Sequence, residues 1–182
     1  GVGAYATDYR TAYNYNGYST VFCTEKGFRD RNWVIGHEVG HTNQITPGLK
    51  WQGCTEVTNN ITALLNHQIV SGGTTMKLIN DGHYTSAHDF LIQNNRSWFY
   101  QDGQGLYNRV MEKLVPFWQL KLYFHDAQGM TDFYPDIAEH ARTTNYDKLL
   151  ERHKGSSKDG LIMLDFVRIA CHTSKKDLTD FF

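Results

Sequence analysis

The sequence predicts a mainly α domain of the α+β class, with a small β portion near the N-terminus. Three observations carry this. Apolar residues recur at helical spacing in the middle of the chain, where Val57, Ile61, Leu64, Leu65 and Ile69 fall on one face. Strand-like composition is confined to the first thirty residues, in the run Ser19, Thr20, Val21, Phe22, Cys23, Thr24. Only three Pro occur in 182 residues, and no repeat, charge block or low-complexity tract interrupts the pattern. Nothing marks an internal linker, so one domain is expected over residues 1–182.

The elements follow in order. After the strand at residues 19–24, Asp30 or Asn32 is placed to cap a helix through Trp33, Val34, His37 and His41. Thr46, Pro47 and Gly48 then break the chain. A second helix is expected from Thr55 to Val70, ended by Ser71, Gly72 and Gly73. A short helix fits residues 86–93. A long one fits residues 106–125, with a kink expected at Pro116. Pro135 suits the first position of a helix running through Arg142. Residues 161–171 read as an apolar helix, and residues 176–182 as the start of another.

Composition narrows the function. Lys and Arg total 18 against 19 Asp and Glu, a formal net charge of −1. Such balance gives no global attraction for nucleic acid or an anionic membrane, so binding must come from a local site. No apolar run approaches the roughly 18–20 residues of a membrane span, and no signal peptide opens the chain. Three Cys, an odd number without a C-x-x-C pair, argue against a disulfide scaffold, and Cys23 and Cys171 are expected to be small buried residues. The stretches Asp81-Gly82-His83-Tyr84 and Asp102-Gly103-Gln104-Gly105 lack the acid spacing of a calcium loop. The sequence fixes no oligomeric state.

Residues 37–41 read His-Glu-Val-Gly-His. Two His at i and i+4 share a helical face, about 6 Å apart at Cβ, so both imidazoles can reach one Zn²⁺. Glu38 then sits beside the metal, where it can take a proton from activated water and pass it to a leaving amine. With nine His and six Glu in the chain, the chance expectation of the pattern is about 0.01–0.02. A hydrolytic zinc site wants three protein ligands and one open position. A third His six residues after His41 is excluded, because Pro47 stands there. Glu56, near the start of the next helix, is the preferred third ligand, with Cys54 as a rival. Asn60 shares the face of Glu56 and can accept a hydrogen bond from a ligand imidazole.

The stretch from Trp33 to Ile61, with G-H-E-V-G-H-T-N-Q followed by W-Q-G-C-T-E-V-T-N-N-I, resembles the enhancin-type gluzincin zinc peptidases, metallopeptidase family 60. Supporting stretches are Ala6 to Arg10, Pro116 to Leu120, Asp132 to Asp136 and Asp177 to Phe182, so the likeness covers nearly the whole chain. The resemblance implies a gluzincin-type zincin catalytic domain with one Zn²⁺ on His37, His41 and Glu56 and Glu38 as catalytic base. It further implies a secreted or surface-anchored bacterial endopeptidase acting on mucins and other O-glycosylated proteins. Catalytic domains of the family are longer at both ends, so the chain is expected to be a fragment.

Further site residues are expected on chemical grounds. Hydrolysis needs a donor for the developing oxyanion, and Tyr134 is the first candidate, ahead of Tyr123, His125 and His140. Sugars present apolar C–H faces and hydroxyls, so an aromatic platform with polar neighbours would suit a glycan. Trp51, Asn59 and Arg10 are the candidates, whereas Phe117 and Trp118 belong to the core. Two rivals stand beside the glycoprotein endopeptidase. One is a general zinc protease or aminopeptidase without glycan dependence, for which no acidic motif precedes His37. The other is a non-cleaving, zinc-containing glycoprotein-binding module.

Overall fold

A computed structural model describes residues 3–14, 23–45, 48–51, 53–93, 109–153 and 158–182. Two three-residue strands, β1 (Ala4–Ala6) and β2 (Thr11–Tyr13), pair antiparallel with Ala4 opposite Tyr13 and Ala6 opposite Thr11. The strand expected at residues 19–24 lies mostly outside the described residues. Its end does not hold, because Cys23 is exposed and helical. Helix α1 (Glu25–Asp30) begins at Thr24, whose hydroxyl accepts from the Gly27 amide at 3.0 Å.

Helix α2 (Asn32–Asn43) carries the H-E-x-x-H residues, and α3 (Thr55–Val70) has the bounds read from its periodicity. The expected capping of α2 is corrected: Asp30 ends α1, and Arg31 occupies the cap without a side-chain bond. Asn32 is instead 2 % exposed and joins the two helices, its Nδ2 donating to Ser71 Oγ at 2.7 Å while Asn66 Nδ2 donates to Asn32 O at 3.1 Å. Of the chain break expected at residues 46–48, Thr46 and Pro47 lie outside the described residues. Gly48 has φ +133, a backbone shape that L side chains rarely adopt.

Two glycines set the spacing of α2 and α3. A Cβ on Gly36 would lie 2.8 Å from Ala63 Cα, and one on Gly40 only 2.1 Å from Asn59 O. The helices therefore touch backbone to backbone, which brings α2 side chains within hydrogen-bond reach of the α3 amides. The opposite face of α3 buries Val57 and Leu64 in the core.

Short helices α4 (Lys77–Asn80) and α5 (His83–Ala87) follow, the second widening into π turns over His88–Ile92. The helix expected at 86–93 thus starts three residues earlier. Helix α6 (Val110–Leu120) packs on α3 and passes through Pro116 without ending; π turns occupy Lys121–Ala127. Residues 106–108 lie outside the described residues, as does the loop at 102–105. Helix α7 (Phe133–Thr143) starts two residues before Pro135, on an Asp132 cap. Helices α8 (Tyr146–Arg152) and α9 (Lys158–Ser174) complete the layer. Phe117, Trp118, Phe124, Phe133, Ile137, Phe166 and Ile169 fill the core between α6, α7 and α9.

The helix expected at 176–182 is a series of turns. Lys175 sits at φ 55, and the Asp177 carboxylate accepts from both the amide and the hydroxyl of Thr179, a local bond that competes with helix. Cys54 is buried, Cys171 half-buried and Cys23 exposed, so the burial expected of the last two holds only in part for Cys171 and fails for Cys23.

Candidate metal centre

His37 and His41 stand one turn apart on α2 with ring centroids 4.9 Å apart and planes at 89°. Glu56 faces them from the first turn of α3. Its Oε2 lies 3.1 Å from His37 Nε2 and 3.2 Å from His41 Nε2. All three residues offer a ligand atom within 4.8 Å of the others. Cys54, the rival ligand, is not part of this cluster; it is buried in the core and its thiol is pushed up to about 12 by desolvation.

The far side of each imidazole is fixed by an amide. Asn60 Nδ2 donates to Glu56 O at 2.7 Å, which turns its Oδ1 toward His37 Nδ1 at 2.9 Å. Gln44 Nε2 donates to Thr55 O and Thr58 Oγ1, each at 2.7 Å, which turns its Oε1 toward His41 Nδ1 at 3.0 Å. Both Nδ1 atoms therefore donate, and both Nε2 lone pairs of neutral rings face Glu56. Asn59 Nδ2 lies 3.0 Å from His41 Nε2. Two lone pairs and a carboxylate oxygen converging on one point repel one another unless a cation, or shared protons, lies among them. That donor set, with its orienting amides, fits one divalent metal of the zinc type.

Without a cation the charges divide as the contacts require. The Glu56 carboxyl is lowered to about 2 by the hydrogen bonds from His37 and His41. Burial tends to lower His37, but the bonds to Glu56 and Asn60 outweigh it and its imidazole is raised. Glu38 is 7 % exposed; burial raises its carboxyl above the ordinary value, against the pull of His37 and His41. It lies in a cleft of about 400 Å³ lined by His37, His41, Glu56, Thr55 and Lys50 together with β1 and Asp8.

The other expected residues divide. Asn60 is placed as expected. Asn59 reaches the cluster but is fully buried behind it, donating to His37 O at 3.3 Å, so it is out of reach of a glycan. Trp51 is corrected to a core residue: it is 2 % exposed and packs between Phe117 and Phe166, at 6.2 and 5.9 Å. Tyr134 is corrected likewise. Its hydroxyl donates to Phe117 O at 2.6 Å, and burial pushes it well above the usual phenol range, away from the cleft. Arg10 is exposed on the β1–β2 turn and does not line the cleft, although its neighbour Asp8 does. Sequence reasoning missed Gln44 and the two glycines. Their signals were Gln three residues after the second His, and Gly at i and i+4 on a helix that must approach another closely.

The family model described as Peptidase M60, enhancin and enhancin-like, matches residues 1–182. The chain belongs to that peptidase family. It is also similar to "Putative lipoprotein AcfD homolog" of Escherichia coli (strain K12), with 30 % identity over 109 residues, 58 % of this chain and 7 % of that protein. A second relative, "Putative lipoprotein YghJ" of Escherichia coli O78:H11 (strain H10407 / ETEC), matches with the same identity and coverage. The chain thus spans a small part of the curated relatives it matches. No helix among the described residues is long and apolar enough to cross a membrane.

Proposed function

We propose that this M60 chain is the catalytic unit of a zinc endopeptidase that cleaves O-glycosylated proteins such as mucins, at a bacterial surface or outside the cell. The observation that carries the catalytic part is the convergence of His37, His41 and Glu56 with Glu38 at the edge of one cleft. The glycoprotein substrate rests on the family, and the location on the lipoprotein relatives.

His37, His41 and Glu56 would hold the metal. When bound, zinc polarises the scissile carbonyl and makes water acidic enough to ionise near neutral pH. Asn60 and Gln44 keep the two rings in the Nδ1–H tautomer and aim Nε2 at the centre. The raised pKa of Glu38 brings its carboxylate closer to working pH, where it accepts a proton from the attacking water and returns it to the leaving amine. Glu38→Gln tests the reading. The variant should bind one zinc as tightly as the parent while hydrolysis falls by at least about 10²-fold, the usual weight of general acid–base catalysis. Full activity in that variant contradicts the assignment.

A further inference from the structure

We propose that Lys50 forms a subsite for a carboxylate of the substrate, close to the scissile bond. The inference rests on the endopeptidase reading for the kind of substrate and adds what that substrate must carry. Among the described residues, Lys50 is the one Lys or Arg that lines the metal cleft. It makes no ion pair there: no carboxylate lies within 4 Å of its ammonium among the described residues, although Asp8, Glu38 and Glu56 line the same cleft. Outside the cleft, two of the three buried or half-buried cations among the described residues, Lys77 and Lys121, are matched to an acid at 2.6 and 2.8 Å, while Lys113 is not.

Its backbone is held on both sides. Leu49 N donates to Ile45 O at 3.0 Å, and Leu49 O accepts from the Thr58 hydroxyl. On the other side Trp51 is anchored in the core, with Thr55 Oγ1 donating to its carbonyl at 3.4 Å. Gly48 is buried against Ala141, 2.7 Å from whose Cβ a Cβ on Gly48 would lie. Lys50 is a half-buried residue whose backbone is fixed at the cleft, and a carboxylate is the group that gains most from an ammonium tethered there. Asp8 lines the same cleft and opposes an anion placed beside it, which favours Lys50 as the partner of the carboxylate.

A carboxylate on an O-glycosylated substrate has two sources, a sialic acid on the glycan or an acidic side chain in the peptide. Binding to the zinc-loaded Glu38→Gln protein separates them without turnover. The probes are three glycopeptides with one Thr-linked galactosyl-N-acetylgalactosamine: a neutral one, one with terminal sialic acid, and one with Glu in place of Gln beside the glycosylated Thr. At least one acidic probe should bind about tenfold tighter than the neutral one, about the weight of one charge-assisted hydrogen bond. Adding Lys50→Ala should bring that ratio close to one. Lys50→Glu should invert it, and Lys50→Arg should restore most of it. Equal binding of all three probes, no binding at all, or a ratio that survives Lys50→Glu overturns the proposal. Cleavage of the neutral probe by the parent enzyme is read separately. If the parent enzyme fails to cleave the tighter-binding acidic probe as well while the binding ratio holds, the endopeptidase reading fails and the subsite stands.

Discussion

Gly40→Ala is the substitution whose outcome the packing of α2 on α3 determines most sharply. On an open helix the change is favourable by up to about 1 kcal/mol, because Ala loses less backbone freedom than Gly. Here the new Cβ would sit 2.1 Å from Asn59 O, 2.8 Å from Asn59 C and 3.0 Å from its Cα, all backbone atoms of a neighbouring helix. No rotamer relieves that. Ordinary contact requires at least 3.4 Å, so the helices must part locally by about 1.3 Å. Overpacking of this kind costs about 1–3 kcal/mol, which in a chain of this size lowers Tm by roughly 2–10 °C. The same displacement separates His37 and His41 from Glu56, and metal sites tolerate only about 0.2 Å. Zinc affinity should therefore fall by more than about 100-fold. Thermal unfolding of the zinc-free protein gives the first number, and competition with a chromophoric chelator gives the second. An unchanged or raised Tm together with zinc affinity within twofold of the parent would refute the close-packed interface and its role.

Four further outcomes follow from the same geometry. Asn60→Leu or Gln44→Leu should each weaken zinc binding by about 10–100-fold, since each frees one imidazole to change tautomer; chelator competition again reports it. Tyr134→Phe should lower stability by about 1 kcal/mol through the lost bond to Phe117 O and leave kcat within twofold, whereas an oxyanion donor would lose far more. In the zinc-free protein, Glu56 has a folded pKa below its unfolded value of 4.5, so its contribution to stability is complete above about pH 4.5 and is lost as pH falls toward 2. His37 is raised above 6.5, so its contribution is present below pH 6.5 and lost as pH rises through the folded value; the Glu56→Gln penalty, read from urea midpoints, should thus be largest between about pH 4.5 and 6.5.

The clustering of His37, His41 and Glu56 was legible in the sequence because helical spacing alone puts His37 and His41 on one face, and because α3 is read correctly to the residue from its apolar repeat. Glu56 followed from its place in the first turn of that helix. Asn60 followed from the i+4 relation to Glu56. What failed depended on long-range packing. Trp51 and Tyr134 were placed by proximity in sequence and by residue type, yet the wall that buries Trp51 comes from α6 and α9, more than sixty residues away. Asn32 reads locally as a cap, but a partner on the far end of α3 takes its side chain. Lys176 to Phe182 carry a helical pattern that the Asp177–Thr179 turn overrides. Gln44 stands three residues after the second His, but only the Thr55 carbonyl and the Thr58 hydroxyl, which accept from its Nε2, reveal which way its oxygen points.

The central claim joins a metal mechanism to a glycoprotein substrate, and one comparison tests both. An O-glycosylated mucin and its enzymatically deglycosylated form are incubated with the zinc-loaded protein, with the chelator-treated protein, and with the Glu38→Gln variant. The account predicts cleavage of the glycosylated form alone, by the zinc-loaded parent alone. Equal cleavage of both forms would contradict the substrate, and cleavage that survives chelator or Glu38→Gln would contradict the mechanism.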